Sequence, residues 1–340
     1  MSCRVLVSIT AAVALSLAGA GCSAGRDRPT RAGASSPGAS ETPSPASYGE
    51  PAYPDAAAAF AAIGDYNTRN NALIDVASRP PFPREAFAPV DTGPVLAHDR
   101  WQIALAEADP KARASKGWAF EEPRAVYLPA ARTWPKLVLA AADARIEGAK
   151  PPKAGKWIDL AVFVQADQGA PLKHHASIPV LRGRLPGPIA PDADPAVPDR
   201  ARAVALARAL AEHWTKDTAA VPGFVSTSML DADLARDRAQ PPGPNAISWT
   251  ARLLRGEAGV HTVAVDGGTL VVADYTIRKT IRALGLGSLV YWSGDYAKVL
   301  GAEKRRSVSA TTYAGAVWLQ PTGGGDAVPL GATRVEAIFR

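Results

Sequence analysis

The spacing of apolar residues changes period several times along the chain, and each change marks an element. After Asp55, the stretch "AAAAFAAIGDYNTRNNALI" sets Phe60, Ile63, Tyr66 and Leu73/Ile74 at helical intervals, with Asp55 placed to cap the first turn. A second helix is predicted from about Thr92, through Leu96, Ile103 and Leu105, ending near Asp109 and Pro110. The period then falls to two. "RAVYLP", "KLVLAAADARI", "WIDLAVFVQAD" and "LKHHASIPV" read as strands. In the third, Ile158, Leu160, Val162 and Val164 alternate with Trp157, Asp159, Ala161 and Phe163, so both faces are partly apolar, as in a sheet covered by helices.

A Pro-rich break, "GRLPGPIAPDADPAVPDR" over 183–200, precedes a second run of the same order. Asp199 caps a helix whose Val204, Ala207, Ala211 and Trp214 form one stripe, and a short helix follows from Asp231. Four extended segments come next: "ISWTARLLR", "VHTVAVDGGTLVVADYTIRKTI", "SVSATTYAGAVWLQP" and "AVPLGATRVEAIF". Asp266-Gly267-Gly268 between β-branched runs is a hairpin signal. A Gly267-Gly268 loop sets His261 opposite Asp274, whereas a loop at Asp266-Gly267 sets it opposite Val272; the first register is the one expected. The pattern predicts an α+β fold of two successive units, 54–190 and 196–340. Each would pack two helices on a curved antiparallel sheet of about four strands.

That arrangement, long helix first and curved sheet after, resembles the nuclear transport factor two/ketosteroid isomerase (cystatin-like) fold. The segments "YNTRNNAL", "VFVQADQGAPLK" and "VAVDGGTLVVADYTIR" are similar to those of a family of uncharacterised actinobacterial lipoproteins. The resemblance spans most of the chain after residue 53 and implies placement rather than chemistry.

The opening residues carry a different message. Arg4 is the only charge in residues 1–21; Val5 to Leu17 is apolar, and Ala18, Gly19, Ala20 and Gly21 lead into Cys22. The apolar run falls short of the roughly 20 residues that cross a bilayer as a helix. A basic start, short apolar core and small-residue exit describe an export signal. Residues Ala18 to Cys22 resemble a lipobox, with Gly19 where Leu is most common, which implies cleavage before Cys22 and acylation of its thiol. The competing reading is an ordinary secretory signal with Cys22 incidental. Cys3 is the only other cysteine and lies in the part removed, so the folded chain is expected to have no disulfide, no Cys nucleophile and no Cys metal ligand. Two acyl chains on Cys22, palmitate-type, would anchor the protein stably at the outer face of the cytoplasmic membrane. Residues 22–53 are rich in Ser, Gly, Pro, Thr and Ala without an apolar period and read as a disordered tether.

Catalytic signals are sparse. His98, His174, His175, His213 and His261 show no zinc spacing, and no cofactor or metal is expected. His174 and His175 fall on a strand, so their rings point to opposite faces; a surface or edge pair is the expected role. No G-x-S-x-G elbow and no Ser-x-x-Lys pair is present. "STSML" over 226–230 reads as capping hydroxyls, and "VDGGT" as a turn. Asn67, beside the buried stripe, is expected to tie down a loop, and Asp65 to be solvated.

Charge adds one regional feature. Lys and Arg exceed Asp and Glu by one over 54–195 and by four over 196–340. Arg278, Lys279, Arg282, Lys304, Arg305 and Arg306 are the dense part, able to meet an anionic lipid or wall polymer; an envelope protein is the other partner expected, and nucleic acid is not. The reading is a lipid-anchored extracytoplasmic protein acting as a non-enzymatic binding or accessory module at the cell envelope. Its rival is an enzyme or apolar-ligand carrier with a cone-shaped pocket between helix and sheet.

Overall fold

A computed structural model describes residues 49–109, 117–146, 155–189, 198–218, 220–239, 245–284, 298–299 and 306–339. The leader, Cys22 and the tether up to residue 48 lie outside these residues, as do 190–197 of the Pro-rich break. Residues 49–53, assigned above to the tether, belong to the fold: Glu50 bridges Ala131, and Ala52 and Tyr53 pack on the first helix's core.

The first helix, α1, runs Ala56–Ala77, and the Asp55 carboxylate accepts from the Ala58 N–H at 2.8 Å. Its buried face is Ala59, Ile63, Tyr66, Asn70 and Ile74, an i, i+3/i+4 stripe with one amide in it. The second, α2, runs Gly93–Ala108 behind Thr92. Trp101, Ile103, Ala104 and Leu105 are all buried, so α2 is covered on more than one side.

Eleven strands follow in order among the described residues: β1 Trp118–Phe120, β2 Ala125–Tyr127, β3 Lys136–Ala142, β4 Ala144–Ile146, β5 Trp157–Gln165, β6 Lys173–Leu181, β7 Asn245–Glu257, β8 Val260–Val265, β9 Gly268–Ala283, β10 Ser307–Pro321 and β11 Val328–Phe339. Between β6 and β7 lie α3, Arg200–Lys216, capped by Asp199 as expected, and α4, Ser228–Ala239. β1 and β4 form a small pair of their own.

The α+β class holds, but the division into two four-stranded sheets does not. Nine strands make one antiparallel sheet in the order β2-β3-β5-β6-β11-β10-β9-β7, with β8 also on β9. The halves join where Val180 of β6 meets Gly331 of β11. A Cβ on Gly331 would stand 2.0 Å from the Pro179 carbonyl oxygen, so only glycine admits this approach. Two separate sheets would leave β6 and β11 as open edges; here the two edges meet, at this one register pair. Helix α2 packs against both strands.

One face of the sheet is a shared apolar interior. Leu160 and Ile178 from the first half bury with Val272 and Val317 from the second. The sheet curls so far that residues 186–188 touch both of its ends: the Tyr127 hydroxyl of β2 donates to the Pro186 carbonyl at 2.6 Å, and Pro188 bridges Val265 of β8. On the opposite face α3 lays Ala207, Leu210 and Trp214 on Tyr275, Ile277 and Trp318, while α1 covers Val138, Ala161 and Phe163.

The hairpin register also differs from the one expected. Val265 pairs with Gly268 and His261 with Val272, so the loop is Asp266-Gly267. Gly267 takes the left-handed φ of +75°. Gly268 stays in the strand because β10 lies too close for a side chain: a Cβ there would be 2.1 Å from the Gln320 carbonyl oxygen. β7 and β8 run in line along β9. Residues 254–259 bulge out between them, opposite Asp274 alone.

Candidate functional site

The titratable side chains that matter gather where α2 begins. Residues 90–92 run beside the edge of β6: His174 N–H donates to Val90 O and Thr92 N–H donates to His174 O, each at 2.9 Å. This pairing brings Asp91 next to His174 and sets Gly93 against His175. Strand alternation sends the two rings to opposite faces, as the sequence implies. Both, however, are only 2 % exposed, which corrects their expected role as a surface or edge pair. Each ring enters a different buried cluster.

In the first cluster, the Tyr66 hydroxyl of α1 donates to Asp91 Oδ1 at 2.9 Å and lies 3.4 Å from His174 Nδ1. Asp91 also interacts electrostatically with Asp99 of α2, whose Oδ2 is buried without a hydrogen-bond partner. Burial pushes Asp91 up to about 6, with Asp99, the Tyr66 hydrogen bond and the charges of Arg69 and Lys173 pulling the other way. Asp99 is raised well above the carboxylate range, first by burial and then by Asp91. The tyrosine is raised well above its usual value for the same two reasons. His174 is lowered to about 3 by burial, against the bond from its ring to Ala176 O at 3.0 Å. With Nε2–H donated to that carbonyl, the ring is neutral and Nδ1 carries no proton. Burial thus favours protonated carboxyls and a neutral imidazole in this cluster.

Aromatic rings surround it. Tyr66 meets Phe163 at 5.2 Å between centroids, Trp118 meets Phe120 at 4.9 Å, and Phe120 meets His174 at 5.3 Å, all edge-on. These rings occupy the space between α1 and the sheet where the cone-shaped pocket was expected. Asn67 closes the arrangement by exchanging two 3.1 Å hydrogen bonds with the Phe120 backbone, and Asn71 accepts from Trp118 N–H at 3.0 Å. The asparagines thus tie down β1, the loop role assigned to Asn67. Asp65 sits outside in an exposed ion pair with Arg69.

The second cluster centres on Asp274 of β9. His175 Nε2 lies 2.8 Å from Asp274 Oδ2, both side chains 3 % exposed, and His261 Nε2 lies 3.8 Å from the same oxygen. The expected His261–Asp274 approach is thus made diagonally, not across the pair. His175 rests on the bare Cα of Gly93, where a Cβ would come within 2.2 Å of the ring. Asp274 Oδ1 and His175 Nδ1 are buried without a hydrogen-bond partner. His261 is pushed down to about 4, chiefly by burial, with His175, Arg200 and Arg255 acting the same way and Asp274 against. Since 23 % of the side chain stays exposed, this is a softer shift than that of His174.

The remaining candidates are structural. His213 bonds Thr218 and Asp231 at 3.0 Å each, and Trp214 donates to Asp231 at 2.7 Å, which fastens α3 to α4. Ser226 Oγ accepts from Ser228 N–H at the start of α4, in keeping with a capping role for "STSML". His98 is an α2 residue beside Gln102. Among the described residues no three His, Cys, Asp or Glu side chains are set to hold a metal ion. Of the basic residues, Arg278 and Arg282 share one face of β9, while Lys279 lies on the other, 4.8 Å over the Trp249 ring. Arg306 is exposed, and Lys304 and Arg305 lie outside the described residues.

Asp91 and Asp99 were not singled out from the sequence. The available signal was "DTGPVLAHDR": two acids eight positions apart around a helix start, with apolar neighbours. Comparisons with protein-family models, with curated proteins and with solved structures give no match.

Proposed function

We propose that this chain is a lipid-anchored extracytoplasmic protein, held by acylated Cys22, that serves the cell envelope as a non-enzymatic binding or accessory module. The observation that supports the non-enzymatic half is the filled space beneath α1. Phe163 and Phe120 pack edge-on with Tyr66, Trp118 and one another beneath α1, and Asp91, bonded to the Tyr66 hydroxyl, is buried beside them rather than at a mouth. A general acid or base must come within hydrogen-bond reach of a substrate. The anchored half rests on the short apolar leader and the small residues before Cys22. The likeness to uncharacterised actinobacterial lipoproteins is part of the same reading.

Fractionation tests it. The wild-type chain should sediment with membranes, and Cys22→Ser should be released or left unprocessed. Recovery of the wild type wholly in the soluble secreted fraction would remove the anchor.

A further inference from the structure

The outer stretch of β7, β9 and β10 has two unlike faces. On one, Ala251, Tyr275, Ile277 and Ala314 are buried in the α3 core. On the other, the strand register lines up hydroxyls and guanidinium groups. Thr250, Arg278 and Thr311 form one row, and Ser248, Thr280 and Ser309 the next, with Thr280 and Ser309 hydroxyls 3.0 Å apart. Arg252 stands beside Thr276 on the row before, and Arg282 beside Ser307 on the row after. Arg252, Arg278 and Arg282 are exposed.

These arginines differ from seven others among the described residues. Arg69, Arg79, Arg84, Arg100, Arg182, Arg208 and Arg238 each pair with a carboxylate. Arg252, Arg278 and Arg282 have no ion pair among the described residues, and no Asp or Glu stands on those four rows. Three unneutralised forks among hydroxyls complement a ligand that offers anionic groups and hydroxyls together.

We infer that this face of β7, β9 and β10 binds an anionic glycan or polyol polymer, with the guanidinium groups on its phosphates and the Ser and Thr hydroxyls on its own. The inference rests on the reading of the chain as an envelope binding module and assigns that module its surface and ligand class. A bilayer is the poorer fit. Surface binding to lipid draws on buried apolar area as well as charge, and across these four rows only Ala246 and the Tyr313 ring offer any, with no long aliphatic or tryptophan side chain to enter hydrocarbon.

The probe is poly(glycerol phosphate) immobilised on a biosensor, read with the full chain in nonionic detergent. Neutral dextran and phosphatidylglycerol–phosphatidylcholine vesicles are the comparison surfaces. Binding to the polymer should exceed both and weaken by roughly tenfold as salt rises about fourfold. Replacing Arg252, Arg278 and Arg282 together by Ala should cost about tenfold or more in affinity, and by Lys less, because the bidentate fork is lost while the charge remains. Arg84→Ala, on a guanidinium already paired with Glu107, should leave binding unchanged. Arg278→Thr, which matches its row neighbours and suits a strand, is a second variant that keeps the fold safe and should weaken binding on its own. Wild-type affinity in the triple variant, equal binding to dextran, or preference for vesicles would each overturn the inference. Cys22→Ser separates the two readings. Cys22→Ser that still partitions with membranes while binding the polymer refutes the anchor alone, and a wild-type chain that partitions through Cys22 but is blind to the polymer refutes the face alone.

Discussion

At the scale of single residues, burial decides the protonation of the cluster at α1, and that makes stability depend on pH in two opposing ways. Asp91 titrates near 6 in the fold against 3.8 for an ordinary aspartate. Its contribution is therefore complete below about pH 4 and is lost as pH rises through about 6. Asp99 acts with the same sign. His174, lowered to about 3 from 6.5, and His261, lowered to about 4, run the other way. Their contribution is present above the unfolded value and lost as pH falls through the folded ones. Stability should peak in the mildly acid range. Asp91→Asn imitates the protonated acid, so the variant should lose less stability than wild type between about pH 5 and pH 8, by on the order of 2 kcal/mol. Denaturant melts at the two pH values measure this, and an unchanged slope would mean that Asp91 is not the group that titrates. None of this was visible locally. Tyr66 and His174 are 108 positions apart, and Asp91 looks like any polar residue before a helix.

Elements were more legible than sites. Asp55 and Asp199 cap their helices as predicted, the second helix starts behind Thr92, and period-two runs became β5, β6, β9 and β10. Two features escaped. The three-residue β1 is too short to show a period and owes its place to Asn67 and Asn71. The hairpin register depends on how closely β10 crowds Gly268, a contact about 50 positions distant in the chain. The bulge at 254–259 and the buried Asp274 opposite it belong together, since the carboxylate links β9 to His175 of β6. Asp274→Ala should cost about 3 kcal/mol in urea unfolding, because it strands a buried imidazole and breaks that link. Asp274→Asn, which keeps a hydrogen-bonding oxygen, should cost clearly less. A loss below about 1 kcal/mol for the alanine variant would show that the pair carries little.

At the scale of the molecule, one curled sheet replaces the two expected, and the interior face is built from both halves. The seam is a single register pair, Val180 with Gly331, and alternation cannot specify which edges meet. Wild-type unfolding should therefore follow one transition by circular dichroism and by tryptophan fluorescence. Gly331→Val, which drives a side chain into the Pro179 carbonyl, should split or broaden it. Two resolved transitions in the wild type would contradict a shared core. The sheet carries its hydroxyl and arginine rows on the outer face of β7, β9 and β10, and the proposed anchor would hold the folded part near the envelope's polymers through residues 22–48. The proposed place of the protein at the envelope turns on that anchor. Intact-mass and N-terminal peptide spectrometry of the protein extracted from membranes tests it most directly. The account predicts a chain beginning at Cys22 with a diacylglyceryl thioether on its sulfur. A chain beginning elsewhere, or a free thiol at Cys22, would contradict it.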